Sequence, residues 1–178
     1  MSFKVFNDYS FRYTLVHVEL DEQNGLIRRT FNNKLPCVSG QINPMDQSEE
    51  KIRKAFLNEI EWITKFQESK FAPELISYDL DTQVIVQRYY EPSLLITRKR
   101  PTIDQVVEMY EFFKQHNVNK INGSISNMCF NNNQLIAFDY KYCVLRPAEK
   151  ERELYSYNNY LVKIDSKLPK ILTDILES

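Results

Sequence analysis

Glycine is nearly missing from this chain: of 178 residues, only Gly25, Gly40 and Gly123 are glycine. No glycine-rich phosphate loop, whether G-x-G-x-x-G or Walker A, can be written anywhere in it. Cysteine is scarce as well. Cys37, Cys129 and Cys143 are odd in number and lack C-x-x-C spacing. That argues against a disulfide framework or a structural zinc site, and the expectation is reduced thiols in a cytoplasmic protein. Neither sign of charge predominates, with 23 Lys+Arg against 24 Asp+Glu and a net charge of −1. This excludes the basic footprint of a general nucleic-acid binder. No uncharged apolar run approaches the ~18–20 residues that a membrane helix needs. Residues 1–8 show no apolar core of a secretory signal. No membrane partner is therefore expected.

Apolar residues make up 43% of the chain, enough to bury a core. Asparagine, which tolerates φ > 0 better than other non-glycine residues, is frequent and clusters at Asn131-Asn132-Asn133. Phe11 to Leu20 alternates, with Val16, Val18 and Leu20 on one face, and predicts a strand. Asn24-Gly25 signals a hairpin into a returning strand, Leu26 to Phe31. Asp46 and Glu49 are spaced as a capping box for a helix reaching about Gln67. Ile52, Phe56, Ile60, Ile63 and Phe66 form its apolar stripe. Two strands follow, 73–78 and 82–90, and Glu91-Pro92-Ser93 breaks the pattern as a candidate hinge. Thr102 and Gln105 form a second capping box, opening a helix that carries Val106, Val107, Tyr110 and Phe113. Lys120 to Asn127 reads as a polar loop. Met128 to Phe130 and Gln134 to Phe138 form a short hairpin around the asparagine turn. From about Glu149 the pattern is helical, punctuated near Pro169. The order predicts an α+β fold with segregated parts, not an alternating parallel sheet.

Three residues are candidates for chemistry. Glu59 lies within the apolar stripe, between Phe56 and Ile63, where a carboxylate is costly unless paired. On the helix alone, the expectation is that it sits at the stripe's edge and reaches water. Asp139 ends the apolar strand 135–138. There it is either a turn aspartate or a ligand for a hard cation such as Mg²⁺. Asn127 closes the polar loop and has an amide oxygen of the same ligating kind. Lys120 and Lys141 lie close to these candidates in sequence and could touch an anion such as phosphate, but solvated surface charge is the expectation for both. His17 reads as a strand residue and His116 as a helix-end residue.

Taken in order, these segments resemble the protein-kinase-like superfamily over about residues 5–165. Lys120-Ile121-Asn122-Gly123-Ser124-Ile125-Ser126-Asn127 is similar to the catalytic loop H-R-D-x-x-x-x-N, with Asn122 at the catalytic Asp and Asn127 at the metal-binding Asn. Phe138-Asp139-Tyr140-Lys141 lies where the D-F-G motif should be. Leu57-Asn58-Glu59 looks like the middle of the αC helix. Pro73-Glu74-Leu75 and Val84 to Tyr89 look like the strands that run into the hinge. Arg146-Pro147-Ala148-Glu149 is similar to A-P-E, and Glu153 to Tyr157 to the start of the helix after it. The glycine-rich loop is replaced by Asn7-Asp8-Tyr9-Ser10. The strand lysine that pairs with the αC glutamate is best met by Arg29, with Arg28 and Lys34 as weaker alternatives.

The resemblance implies a bilobal fold, with a β-rich N-lobe and αC helix over 1–90 and a minimal helical C-lobe over 91–178. It implies ATP and Mg²⁺ held between the lobes. Arg29, Glu59, Gln87 and Tyr89 would contact the nucleotide, Asn127 and Asp139 would hold the metal, and Asn122 would orient an acceptor hydroxyl. The implied function is an atypical phosphotransferase acting on a small molecule or a docked protein. A second reading is a pseudokinase, a binding or scaffold module in which Asn122 cannot serve as a base. A third is an interaction protein that shares only the topology. The richness in Asn, Lys and Ile is that of an AT-rich genome such as a virus's.

Overall fold

A computed structural model describes residues 2–6, 16–32, 48–120, 125–145 and 165–177. The fold is α+β, and the chain divides into two compact units. Met1–Gln67 and Pro73–Tyr90 form the first, and Glu68–Ala72 and Glu91–Ser178 the second.

The first unit is an antiparallel sheet with one helix packed on it. Its strands are β1 (Lys4–Val5), β2 (Val16–Asp21), β3 (Leu26–Phe31), β4 (Leu75–Asp79) and β5 (Val84–Arg88), in the order β1-β2-β3-β5-β4. The helix α1 spans Glu49–Lys65. Alternation decides which face the helix covers. Val16, Phe31 and Ile85 point to it and pack with Ile52, Ala55 and Phe56, and Val18, Ile60 and Leu75 close the cluster. Phe31 meets Phe56 edge to face at 5.5 Å between centroids, the arrangement that ring quadrupoles favour. The helix is capped by Ser48, whose Oγ accepts from the Lys51 amide at 3.4 Å. Glu49, expected at the third helical position, is instead the first helical residue. Asp46 lies outside the described residues.

The β2–β3 connection shows why its glycine is needed. Asp21 pairs with Leu26, so the loop is the four residues 22–25. Asp21 Oδ2 accepts from Asn24 Nδ2 at 2.8 Å, and Gly25 takes φ +60. The Gly25 carbonyl then accepts from the Tyr89 amide at 2.9 Å, tying the turn to the residue just past β5. The β4–β5 turn has no glycine. Asp79 Oδ1 accepts from the amides of Asp81 (2.8 Å) and Thr82 (2.9 Å) instead, and these bonds hold its carboxyl below the usual carboxylate range.

The second unit contains α2 (Leu94–Thr97), α3 (Ile103–Gln115), β6 (Val118–Lys120), a 3₁₀ turn at Ile125–Asn127, β7 (Met128–Asn131), β8 (Gln134–Ala137), β9 (Cys143–Leu145) and α4 (Leu168–Glu177). β6 pairs with β9 and β7 with β8, both antiparallel. The capping box of α3 is complete: Thr102 Oγ1 accepts from the Gln105 amide at 3.2 Å, and Gln105 Oε1 accepts from the Thr102 amide at 2.9 Å. Gln105 Nε2 also donates to the Asn133 carbonyl at 2.7 Å, so one residue caps the helix and pins the hairpin tip. Asn131 pairs with Gln134, leaving a two-residue loop. Asn132 and Asn133 both take positive φ, 47 and 67, as a type I′ turn requires. Val106, Met109, Tyr110, Phe113, Tyr140, Leu168 and Leu172 are fully buried in this unit. The helix α4 begins at Leu168 with Pro169 in its first turn, where a missing amide costs nothing. The expected helical run 149–164 lies outside the described residues. Among those described, no helix is long and apolar enough to cross a membrane.

The loop geometry makes one prediction. A Cβ on Gly25 would meet only the Tyr89 carbonyl oxygen, at an ordinary 3.9 Å, so the cost of Gly25→Ala comes from φ alone. It should destabilise the protein by about 1–2 kcal/mol, and Gly25→Asn by less. Urea unfolding should show a lower midpoint with an unchanged slope.

Candidate functional site

In the first unit the sequence places one charge on the sheet and its counter-charge on the helix. Arg29 lies between Val18 on β2 and Ile85 on β5, on the face that α1 covers. Glu59 lies on the matching stripe of α1, and Arg29 Nη1 donates to Glu59 Oε1. The side chains are 7% and 0% exposed. The expectation that Glu59 reaches water is therefore overturned. Phe56 and Ile63, on either side of it along the stripe, are both fully buried, and Glu59 is buried with them. Arg29 also lies over the Phe31 ring, 5.5 Å from its centroid, which favours a cation. Glu59 Oε2 is buried without a hydrogen-bond partner. Gln87 lies opposite Ile27, on the same face as Arg29, and its Oε1 is also buried and unpartnered. Tyr89 is half-buried, with its ring edge-on to Phe6 at 5.8 Å. Arg28, the weaker candidate, points to the opposite face. It makes a two-pronged pair with Glu19 at 2.7 Å for each bond, which holds the Glu19 carboxyl below its ordinary range.

In the second unit, backbone pairing gathers the other candidates. Met128 pairs with Ala137, and the Phe138 amide donates to the Asn127 carbonyl at 2.9 Å. The ribbon thus continues one step past its strands and sets Asn127 beside Phe138, next to Asp139. There the chain leaves extended geometry: Asp139 takes φ +66, a conformation that Asp adopts more readily than most residues. Two ammonium groups engage Asp139. Lys120 Nζ donates to its carbonyl at 3.2 Å, and Lys141 Nζ pairs with Oδ1 of its carboxylate. Lys120 is 1% exposed, and its Nζ lies 4.9 Å from the centroid of the Tyr140 ring. The expectation of solvated charge fails for both lysines. Burial of Tyr140, whose hydroxyl donates to the Phe71 carbonyl at 3.1 Å, carries its neighbours inward. No periodicity in the sequence announces this, because β6 and β9 are only three residues each. Asn122 lies outside the described residues, as do Lys34, 7–10, 146–149 and 153–157.

Asn127 and Asp139 offer an amide and a carboxylate, oxygen donors of the kind Mg²⁺ takes. That ion is commonly held by one or two carboxylates together with water and substrate phosphate. A positive group already rests on Asp139 Oδ1, so the position suits a cation. Cys129 is not a ligand or nucleophile of this site. It is buried in β7, and burial pushes its thiol up to about 12, so it stays protonated at neutral pH.

Two predictions follow from this geometry. Glu59→Ala removes the carboxylate paired with a buried guanidinium and should lower stability by ~3–5 kcal/mol, whereas the paired change Arg29→Met with Glu59→Leu should recover most of that loss; equilibrium denaturation of the three proteins checks it. Cys129 should resist alkylation at pH 8 in the native protein and react once denaturant unfolds it, as followed by peptide mass mapping.

No protein-family model and no curated protein matches this chain. Solved structures do. One is described as the bifunctional kinase-methyltransferase WbdD. It aligns with a TM-score of 0.63 at 11% identity, over 92% of this chain and 38% of that one. A structure of monomeric WbdD aligns with a TM-score of 0.66 at 12% identity, over 92% of this chain and 41% of that one. The chain spans about two-fifths of the length of the WbdD chains it matches, and at these identities the similarity is one of fold.

Proposed function

We propose that this protein is an atypical kinase-like phosphotransferase that binds ATP with Mg²⁺. The observation that carries the reading is the buried Arg29–Glu59 pair. A buried ion pair contributes little net stability compared with apolar residues of the same volume, so its presence calls for another use. One carboxylate oxygen of Glu59 has no partner, and a guanidinium matches phosphate oxygens in shape and charge. The catalytic-loop-like spacing of Asn122 and Asn127 and the similarity in fold to a protein described as a kinase-methyltransferase support the kinase half of that description.

In this reading Arg29, positioned by Glu59, meets the α- and β-phosphates. Gln87 and Tyr89 contact the nucleotide. Asn127 and Asp139 hold Mg²⁺, which when bound neutralises charge on the phosphates. Asn122 orients the acceptor hydroxyl. Phosphoryl transfer depends mainly on positioning and electrostatics, and an amide at 122 can still orient a hydroxyl. Losing a general base typically costs ~10²–10⁴-fold. That same amide favours the alternative, a pseudokinase that binds nucleotide and serves as a scaffold. Transfer of labelled phosphate to the protein itself or to a metabolite panel distinguishes the two.

Nucleotide binding is tested first by thermal shift. A ligand at a hundred times its Kd stabilises the folded state by about 2.7 kcal/mol, which for a chain of this size is roughly 5–10 °C in Tm. ATP with Mg²⁺ should raise Tm by that order, and Asp139→Ala should remove the Mg²⁺-dependent part. No shift at millimolar nucleotide would sink the proposal.

A further inference from the structure

The carboxylate assigned to the metal already holds a cation of the chain's own. Lys141 Nζ pairs with Asp139 Oδ1 across two residues, and the two side chains are only 13% and 12% exposed. Water therefore screens the pair little. The left-handed backbone at Asp139 turns the chain so that residue 141 comes back over residue 139. The Lys141 ammonium also lies 5.1 Å from the centroid of the Tyr142 ring, a second interaction favouring its charge. Lys120 donates to the carbonyl of Asp139.

A carboxylate oxygen that already accepts from an ammonium has fewer lone pairs to offer a divalent ion. The two cations would compete for the same lone pairs and repel each other at contact. We propose that Lys141 is a tethered competitor for the divalent-cation position at Asp139. A metal ion arriving there displaces the ammonium, and the displaced ammonium becomes available to the anionic group that accompanies the metal. Because the competitor is covalently attached, its effective concentration is high and constant. Metal affinity in the free protein is therefore set by the strength of this pair. The inference rests on the reading of Asp139 as a metal ligand made above.

The test is binding of Mn²⁺ alone, followed by electron paramagnetic resonance of the free ion, to the full chain. Lys141→Met should bind Mn²⁺ about tenfold more tightly than the wild type, the order expected for losing a partly buried ion pair. Lys141→Arg, which keeps the charge, should stay near the wild type. Asp139→Asn should bind poorly whatever stands at 141. Unchanged or weaker binding by Lys141→Met, with binding still lost in Asp139→Asn, overturns the competition and leaves the metal reading intact. Wild-type binding by Asp139→Asn overturns the metal reading itself. If Lys141→Met does not fold, the wild type gives the answer. The Lys141 side-chain methylene resonance, assigned by comparison with Lys141→Arg, should shift as Mg²⁺ is added, and a resonance that stays put refutes the displacement.

Discussion

A guanidinium held under a helix fixes more than its own position. Arg29 is buried on the face of β3 that carries Ile27 and Phe31, and Glu59 must meet it from α1. Side chains alternate along a strand, so slipping β3 by one residue would put Arg28 or Thr30 under the helix and send Arg29 to the other face. Rotating α1 by one position would withdraw Glu59 and break a buried ion pair, at a cost of several kcal/mol. The apolar cluster of Val16, Phe31, Ile52, Phe56 and Ile85 supplies the bulk of the favourable energy but tolerates repacking. The ion pair ties one residue of β3 to one residue of α1, and so specifies the register that the apolar residues only favour. On the opposite face, Arg28 and Glu19 repeat the arrangement in a weaker, partly exposed form.

The second unit sets its chemistry with backbone more than with packing. Two tight ribbons run through it, and the hydrogen bond from the Phe138 amide to the Asn127 carbonyl sets Asn127 beside the residue that precedes Asp139. Residues distant in sequence become a single step apart across a ladder. Gln105 holds the far end of the same ribbon through the Asn133 carbonyl, so the start of α3 and the hairpin tip are constrained together.

Elements with a strong period or a defined turn were legible in the sequence: the stripe of α1, the alternation of β2, the capping box of α3 and the asparagine hairpin. Each is encoded by residues within a few positions of one another. The elements that sequence reasoning missed depend on distant partners. β6 and β9 are three residues each, too short to show a period, and exist only because they pair. The four-residue helix α2 is similar. Ser48 as the cap of α1 in place of Asp46 is a choice between two good capping residues that only the path of the chain decides. Of the candidate site, the position of Glu59 on its stripe was readable and its burial was not. A stripe shows which face a residue occupies but not what lies opposite. Lys120 and Lys141 were unreadable for the same reason, since lysine's long stem suits it to surface and interior alike.

Scarcity of glycine carries a structural consequence at the site. Left-handed backbone is still needed, and among the described residues it falls on Gln83, Arg98, Asn117, Asn132, Asn133 and Asp139 as well as Gly25. For an L-residue that conformation costs roughly 1–2 kcal/mol, less for Asn and Asp, and three of the six are asparagine. In return, a chain with few glycines has less backbone entropy to lose on folding. Asn132 and Asn133 have turn geometry as their sufficient reason. Asp139 has no hairpin to close. It is left-handed between a strand and the buried Tyr140, with its carbonyl on one ammonium and its carboxylate on another. Strain at such a position persists only where the surroundings over-determine it, and here two lysines and a buried ring do so.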